Sequence, residues 1–144
     1  MTTGKKIKVF FDSSVIIAGL ASTKGASCML LSLAEMEVIE PYICEQVVTE
    51  VIKNVEKKLP SCVPQFFTLF KKLPFIMVDA TEDNITFSLQ LINKKDAVIL
   101  AAAITAGVDA LITLDKHFLK GDLKEKLKLS LCTPGEFLRY VQGF

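Results

Sequence analysis

Short apolar runs alternating with segments of helical period constrain this chain most. Lys6–Phe11, Val38–Tyr42, Phe75–Val78 and Ala110–Leu114 are each only a few residues long and rich in β-branched and aromatic side chains, and Leu127–Leu131 offers a fifth. Little in these runs alternates between apolar and polar, so neither face of such strands is suited to water. A parallel sheet covered by helices on both faces satisfies that pattern, and the fold class is read as a three-layer α/β/α sandwich.

The intervening segments supply the helices. Ser14–Leu20 and Ala26–Met36 flank the Ser22-Thr23-Lys24-Gly25 turn. From Glu45 to Lys58 the apolar positions Val47, Val48, Val51, Ile52, Val55 and Leu59 follow the helical repeat, and Pro60 ends it. A helix over about Pro64–Lys72 precedes the third strand, and Thr81 is placed to cap one over Thr81–Ile92. Asp96 opens an Ala-rich helix closing at Gly107, and Pro134 starts the last. Pro41 is expected to break the second strand. With 144 residues, 51% of them hydrophobic, the chain suffices for one core, and 1–144 is read as a single domain.

Composition excludes several chemistries. The net charge of +1 does not mark a nucleic-acid binder, so any polyanion must be held by local charge. Cys28, Cys44, Cys62 and Cys132 are widely spaced among apolar neighbours, as small buried hydrophobes in a reducing compartment would be. His117 is the only histidine, which disfavours a zinc site or a Ser-His-Asp triad. Lys5, Lys6 and Lys8 before an apolar run imitate a secretory leader, but Asp12 interrupts that run. The uncharged stretch Ala97–Val108 is too short for a bilayer. A cytoplasmic protein without membrane association is expected.

The acids carry the functional signal. In open parallel sheets, ligands bind beyond the carboxyl ends of the strands, where the strand order reverses. Asp12 ends the first strand and Asp115 the fourth. With strand order 3-2-1-4-5, these two carboxylates would meet at the reversal point. Glu50 lies on the charged edge of a helix and Asp96 at a helix start, from which both can face the same crevice. Clustered carboxylates need a shared proton or a cation, and an oxygen-only donor set selects a hard ion such as Mg2+ or Mn2+. Taken singly, each acid has a plainer role: Asp12 and Asp96 as helix caps, Asp115 as a turn residue, Glu50 as a solvated charge. Asp109 precedes the fourth strand and belongs to the opposite end of the sheet.

Four segments resemble the PIN-domain nucleases, a family that includes toxins of prokaryotic toxin-antitoxin pairs. They are Val9-Phe10-Phe11-Asp12-Ser13-Ser14-Val15-Ile16, Glu50-Val51-Ile52-Lys53-Asn54, Asp96-Ala97-Val98-Ile99-Leu100-Ala101-Ala102-Ala103 and Ala110-Leu111-Ile112-Thr113-Leu114-Asp115-Lys116-His117-Phe118. The resemblance covers nearly the whole chain. It implies a PIN-like α/β/α fold and metal-dependent hydrolysis of RNA at Asp12, Glu50, Asp96 and Asp115. Ser14 or Thr113 would match the polar residue that orients a ligand or water; many members have Asn at the Ser14 position. Glu45 competes with Glu50 for the second acidic place.

Lys116, Lys120, Lys124, Lys126 and Lys128 form a local basic stretch, read either as solvated surface or as a phosphate-binding border of the crevice, with Lys116 nearest Asp115. RNA, an antitoxin protein and a second copy of the chain are the expected partners. Two rival readings remain at this point: a receiver-like signalling module with Asp79 as phosphoacceptor, and a PIN-like domain that binds RNA or protein without cleaving.

Overall fold

The computed structural model describes residues 5–142. Five parallel strands form one sheet in the order β3-β2-β1-β4-β5: β1 Ile7–Phe11, β2 Ile39–Ile43, β3 Ile76–Met77, β4 Ala110–Ile112 and β5 Ser130–Cys132. The expected fold class and strand order are both observed. Phe10 pairs with Tyr42 on one side and Leu111 on the other, which puts β1 at the centre. Val9, Phe10 and Phe11 are consecutive and all completely buried. Because successive strand residues point to opposite faces, that can happen only where both faces are covered.

The helices are α1 Ser13–Ala21, α2 Ala26–Glu35, α3 Glu45–Lys58, α4 Val63–Lys72, α5 Glu82–Leu89, α6 Lys94–Ala106, α7 Lys116–Leu119 and α8 Pro134–Gln142. Right-handed crossovers, the rule for parallel strands, carry the chain over one face from β1 to β3 and over the other on its way back to β4. Packing follows that division: α1 lies on α2 and α3, and α2 on α8, whereas α5 packs along α6. Two helices pack closely near the first turn: a Cβ on Gly19 would come within 2.5 Å of Leu31 Cδ1. Among the described residues no single helix is long and apolar enough to cross a membrane.

Three local expectations change. Strand β2 runs through Pro41 instead of breaking there. Strand β3 pairs with β2 only at Tyr42 and Ile43, so at Pro41 the β3 side of β2 has no ladder partner, a place where a residue without an N–H is tolerated. The basic stretch after Asp115 is folded into α7 and a tight helical turn at Leu123–Lys126, which delays β5 to Ser130. Helix α6 begins at Lys94 behind the cap Asn93, so Asp96 stands in its first turn and does not cap it.

Candidate active site

The last residue of β1 leads straight into the site. Asp12 N donates to Ile112 O at 3.1 Å, tying the end of β1 to β4, and the Asp12 side chain accepts from Ser13 N at 2.8 Å as the cap of α1. Its other oxygen accepts from Thr113 Oγ1 at 2.7 Å and from Ser14 Oγ at 3.0 Å. Both hydroxyls are themselves fixed from the segment between β4 and α7: Thr113 Oγ1 accepts from Asp115 N at 2.9 Å, and Ser14 Oγ from Leu114 N at 3.0 Å. Asp12 is thus a helix cap and a crevice carboxylate at once. Only 4% of it is exposed. Burial raises its carboxyl above the ordinary value of 3.8 despite the hydrogen bonds from Thr113, Ser14 and Ser13 that lower it, and the charge of Glu50 adds to the rise.

Glu50 projects from α3 into the same space. Ser13 Oγ donates to its Oε1 at 2.8 Å and Gln46 Nε2 to its Oε2 at 3.0 Å, while Asn54 Nδ2 donates to its backbone oxygen at 2.8 Å. Gln46, Glu50 and Asn54 follow one another at four-residue spacing and therefore share one helix edge. Glu45, the competing acid, is exposed in the first turn of α3 and takes no part in the crevice lining.

Asp96 and Asp115 complete the acidic lining. Asn93 accepts from Asp96 N at 3.0 Å through Oδ1 and donates from Nδ2 to Asp96 Oδ2 at 2.7 Å, a reciprocal cap that fixes the carboxylate. Asp115 caps α7 by accepting from His117 N at 2.9 Å. The crevice is lined by Asp12, Ser13, Ser14, Glu50, Asn54, Asn93, Lys95, Asp96, Asp115 and His117, with a volume of about 500 Å3.

Thr113 is completely buried and meets the crevice through its hydrogen bonds with Asp12 and Asp115. Lys116 is exposed and lies beside Leu119 and Lys120, outside the acidic lining; Lys95 is the lysine that lines it. Asp79 is exposed beyond the edge strand β3 and also stays outside, which removes the phosphoacceptor pocket that a receiver would need. Asp109 lies at the far end of the sheet, as expected, with Oδ2 accepting from Lys8 N at 2.8 Å. Of the cysteines only Cys44 is buried; Cys28, Cys62 and Cys132 are half-buried, and all four are free thiols.

Sequence reasoning assigned no place in the site to Ser13, Gln46, Asn54, Asn93, Lys95 or His117. Asn93 had a signal, an Asn followed three residues later by an acid ahead of an apolar helix. Gln46 and Asn54 were marked by their spacing from Glu50. Nothing local marked His117, whose place follows from the turn of α7.

The donor set suits a divalent cation. Carboxylate oxygens from Asp12, Glu50, Asp96 and Asp115 face one crevice, and among the described residues no lysine or arginine forms an ion pair with any of them. Ligand atoms of Asp96, Asp115 and His117 lie within 4.8 Å of one another.

The family model for the PIN domain matches residues 8–117. No curated protein matches the chain significantly in sequence. Among solved structures it is similar to PAE2754 from Pyrobaculum aerophilum, with a TM-score of 0.65 at 13% identity, covering 94% of this chain and 90% of that one. It is also similar to VapBC2 from Rickettsia felis, bound to a DNA fragment from their promoter, with a TM-score of 0.61 at 16% identity over 87% of this chain and 97% of that one. VapBC-1 from nontypeable Haemophilus influenzae gives 0.60 at 13% identity, with coverage of 90% and 99%. The matched stretch starts at Lys8, ahead of Asp12, and ends on His117, so it contains all four crevice acids, and the chain belongs to the PIN-domain family of nucleases.

Proposed function

We propose that this chain is a metal-dependent endoribonuclease, folded as a single domain, that uses Asp12, Glu50, Asp96 and Asp115 to hold Mg2+ or Mn2+ and cleaves RNA phosphodiester bonds. One observation carries the reading: four carboxylates share a crevice, and among the described residues no lysine or arginine forms an ion pair that would neutralise them. Bound there, the ion supplies Lewis acidity, which makes water a stronger nucleophile near neutral pH and offsets charge on the phosphate.

The chain's own residues prepare the site. Thr113, Ser14 and the Ser13 backbone hold Asp12 in one orientation, Ser13 and Gln46 hold both oxygens of Glu50, and Asn93 holds Asp96. Carboxylates already held by neighbouring donors lose little freedom when a cation or substrate arrives. Lys95 at the crevice offers charge to a substrate phosphate, and Lys116 and Lys120 beside it extend a path for flanking phosphates without reading sequence.

The likeness to two VapBC structures supports a toxin role with an antitoxin partner. Exposed Phe67, Ile76 and Met77 are apolar surface suited to such a partner or to a second copy.

The test is cleavage of a labelled single-stranded RNA with Mg2+ or Mn2+, comparing the native chain with Asp12→Asn and Asp96→Asn. Each substitution is expected to reduce turnover by about 100-fold or more, and a chelator to stop cleavage until the metal is restored. Equal cleavage by all three proteins would overturn the assignment.

A further inference from the structure

His117 brings the sequence's single imidazole to the acid cluster. Its Nδ1 lies 3.3 Å from Asp115 Oδ1 and 3.7 Å from Asp96 Oδ2. Atoms bound at about 2.1 Å to one octahedral ion are about 3.0 Å apart when adjacent and about 4.2 Å apart when opposite. Both separations from the imidazole fall within that span, and the ligand atoms of all three side chains lie within 4.8 Å of one another, so they can close on one ion by side-chain adjustment. Side-chain exposure rises from 9% at Asp96 through 33% at Asp115 to 67% at His117, so the imidazole stands at the open mouth, where an arriving ion is first met. The backbone N–H of His117 is already bonded to Asp115, which anchors the residue while its ring stays free to turn.

We infer that His117 is a direct nitrogen ligand of the ion in this crevice and biases the site toward Mn2+ over Mg2+. The inference rests on the metal-dependent reading above and adds a ligand to it. Mg2+ favours oxygen donors and retains its waters, whereas imidazole nitrogen suits first-row transition ions. A carboxylate cluster alone would discriminate weakly between these two hard ions. One imidazole at its mouth adds a donor that only one of them welcomes.

The experiment uses the untagged full chain with Mn2+ as the spectroscopic probe. Mn2+ binding is read from loss of the free-ion electron paramagnetic resonance signal, Mg2+ binding from competition, and the ligand nitrogen from 14N modulation of the spin echo. His117 is the sequence's only histidine, so any imidazole coupling reports on it alone. The native chain should show that coupling. His117→Ala should lose it, with Mn2+ affinity falling by at least about tenfold and Mg2+ affinity changing by less than about threefold. Bound Mn2+ without imidazole coupling, or equal losses for both ions in His117→Ala, would overturn the ligand assignment and leave the carboxylate site standing. Failure of the native chain to bind either ion would overturn both.

Discussion

Strands β1 and β4 carry an aspartate at each end of their pairing, and the two are put to opposite uses. At the amino end, Asp109 accepts from Lys8 N while its own N–H donates to Lys8 O at 2.8 Å, so a carboxylate on open surface stitches the strands together. At the carboxyl end, the Asp12 carboxylate accepts hydrogen bonds from Ser13 N, Ser14 Oγ and Thr113 Oγ1 and is still left buried with the charge of Glu50 nearby. The first arrangement favours the fold. The second holds unfavourable charge in place, and the surrounding hydroxyls fix its position without removing that cost. A perturbed carboxyl of this kind at one end of a sheet is what the proposed cation would relieve.

Asp12→Asn is the strongest way to break the contrast. Beyond the loss of cleavage, it should raise thermal stability at neutral pH in the absence of divalent ions. The folded chain holds the Asp12 proton more tightly than the unfolded chain does, so between the ordinary value of 3.8 and its raised folded value the native state binds more protons. Native stability therefore falls as pH rises through that window, and Asp12→Asn should flatten this fall in melting curves taken across the acid range. Unchanged pH dependence would contradict the raised carboxyl. Adding Mn2+ at about 100 times its dissociation constant should stabilise the native chain by about 2.7 kcal/mol and the variant much less.

Thr113→Val comes next. The isosteric change removes the donor to Asp12 and leaves Asp115 N without its acceptor, which should cost about 2 kcal/mol in denaturant unfolding. It should also move the acidic limb of the cleavage profile to higher pH, because a hydrogen bond that favours ionised Asp12 is gone. Asp109→Ala tests the other end: stability should drop by about 1 kcal/mol while cleavage stays unchanged. A cleavage defect there would mean that the two ends are not independent. Lys116→Ala is the smallest expected effect, a rise in KM of less than about threefold that shrinks in high salt, with kcat unaltered.

The sheet was legible because its evidence is redundant. The strands are mostly apolar, with Lys8 in β1 and Glu40 in β2 as the charged interruptions, and the placing of Asp12 and Asp115 at neighbouring strand ends follows once the order is known. The edges were harder to read. Residues Phe75 and Val78 flank a β3 of only two paired residues, since an edge strand's extent depends on how far β2 continues beside it. Of the site, the four acids were visible as charges that interrupt or border apolar segments. Their supports were fainter: Asn93 and Gln46 were marked only by spacing, and Ser13 is an ordinary polar residue until folding buries it and aims it at Glu50. The place of Lys116 was also hard to read: adjacency to Asp115 in sequence says nothing about direction once the chain turns into α7, which sets this lysine beside the acidic lining and not in it.

Helix α6 leaves the crevice at Asp96 and descends to the left-handed turn at Gly107, from which β4 climbs back to Asp115. Both ends of this excursion are acids of the same crevice, so the path out and the path home are matched in length. Removing one residue within the helix would turn Asp96 by about 100° around its axis relative to the Gly107 end, enough to carry its carboxylate out of the crevice. Substitutions along α6 can be absorbed wherever volume is kept, but changes in its length cannot. Related chains that keep this chemistry should therefore vary in residue identity between these two acids and hardly at all in residue number.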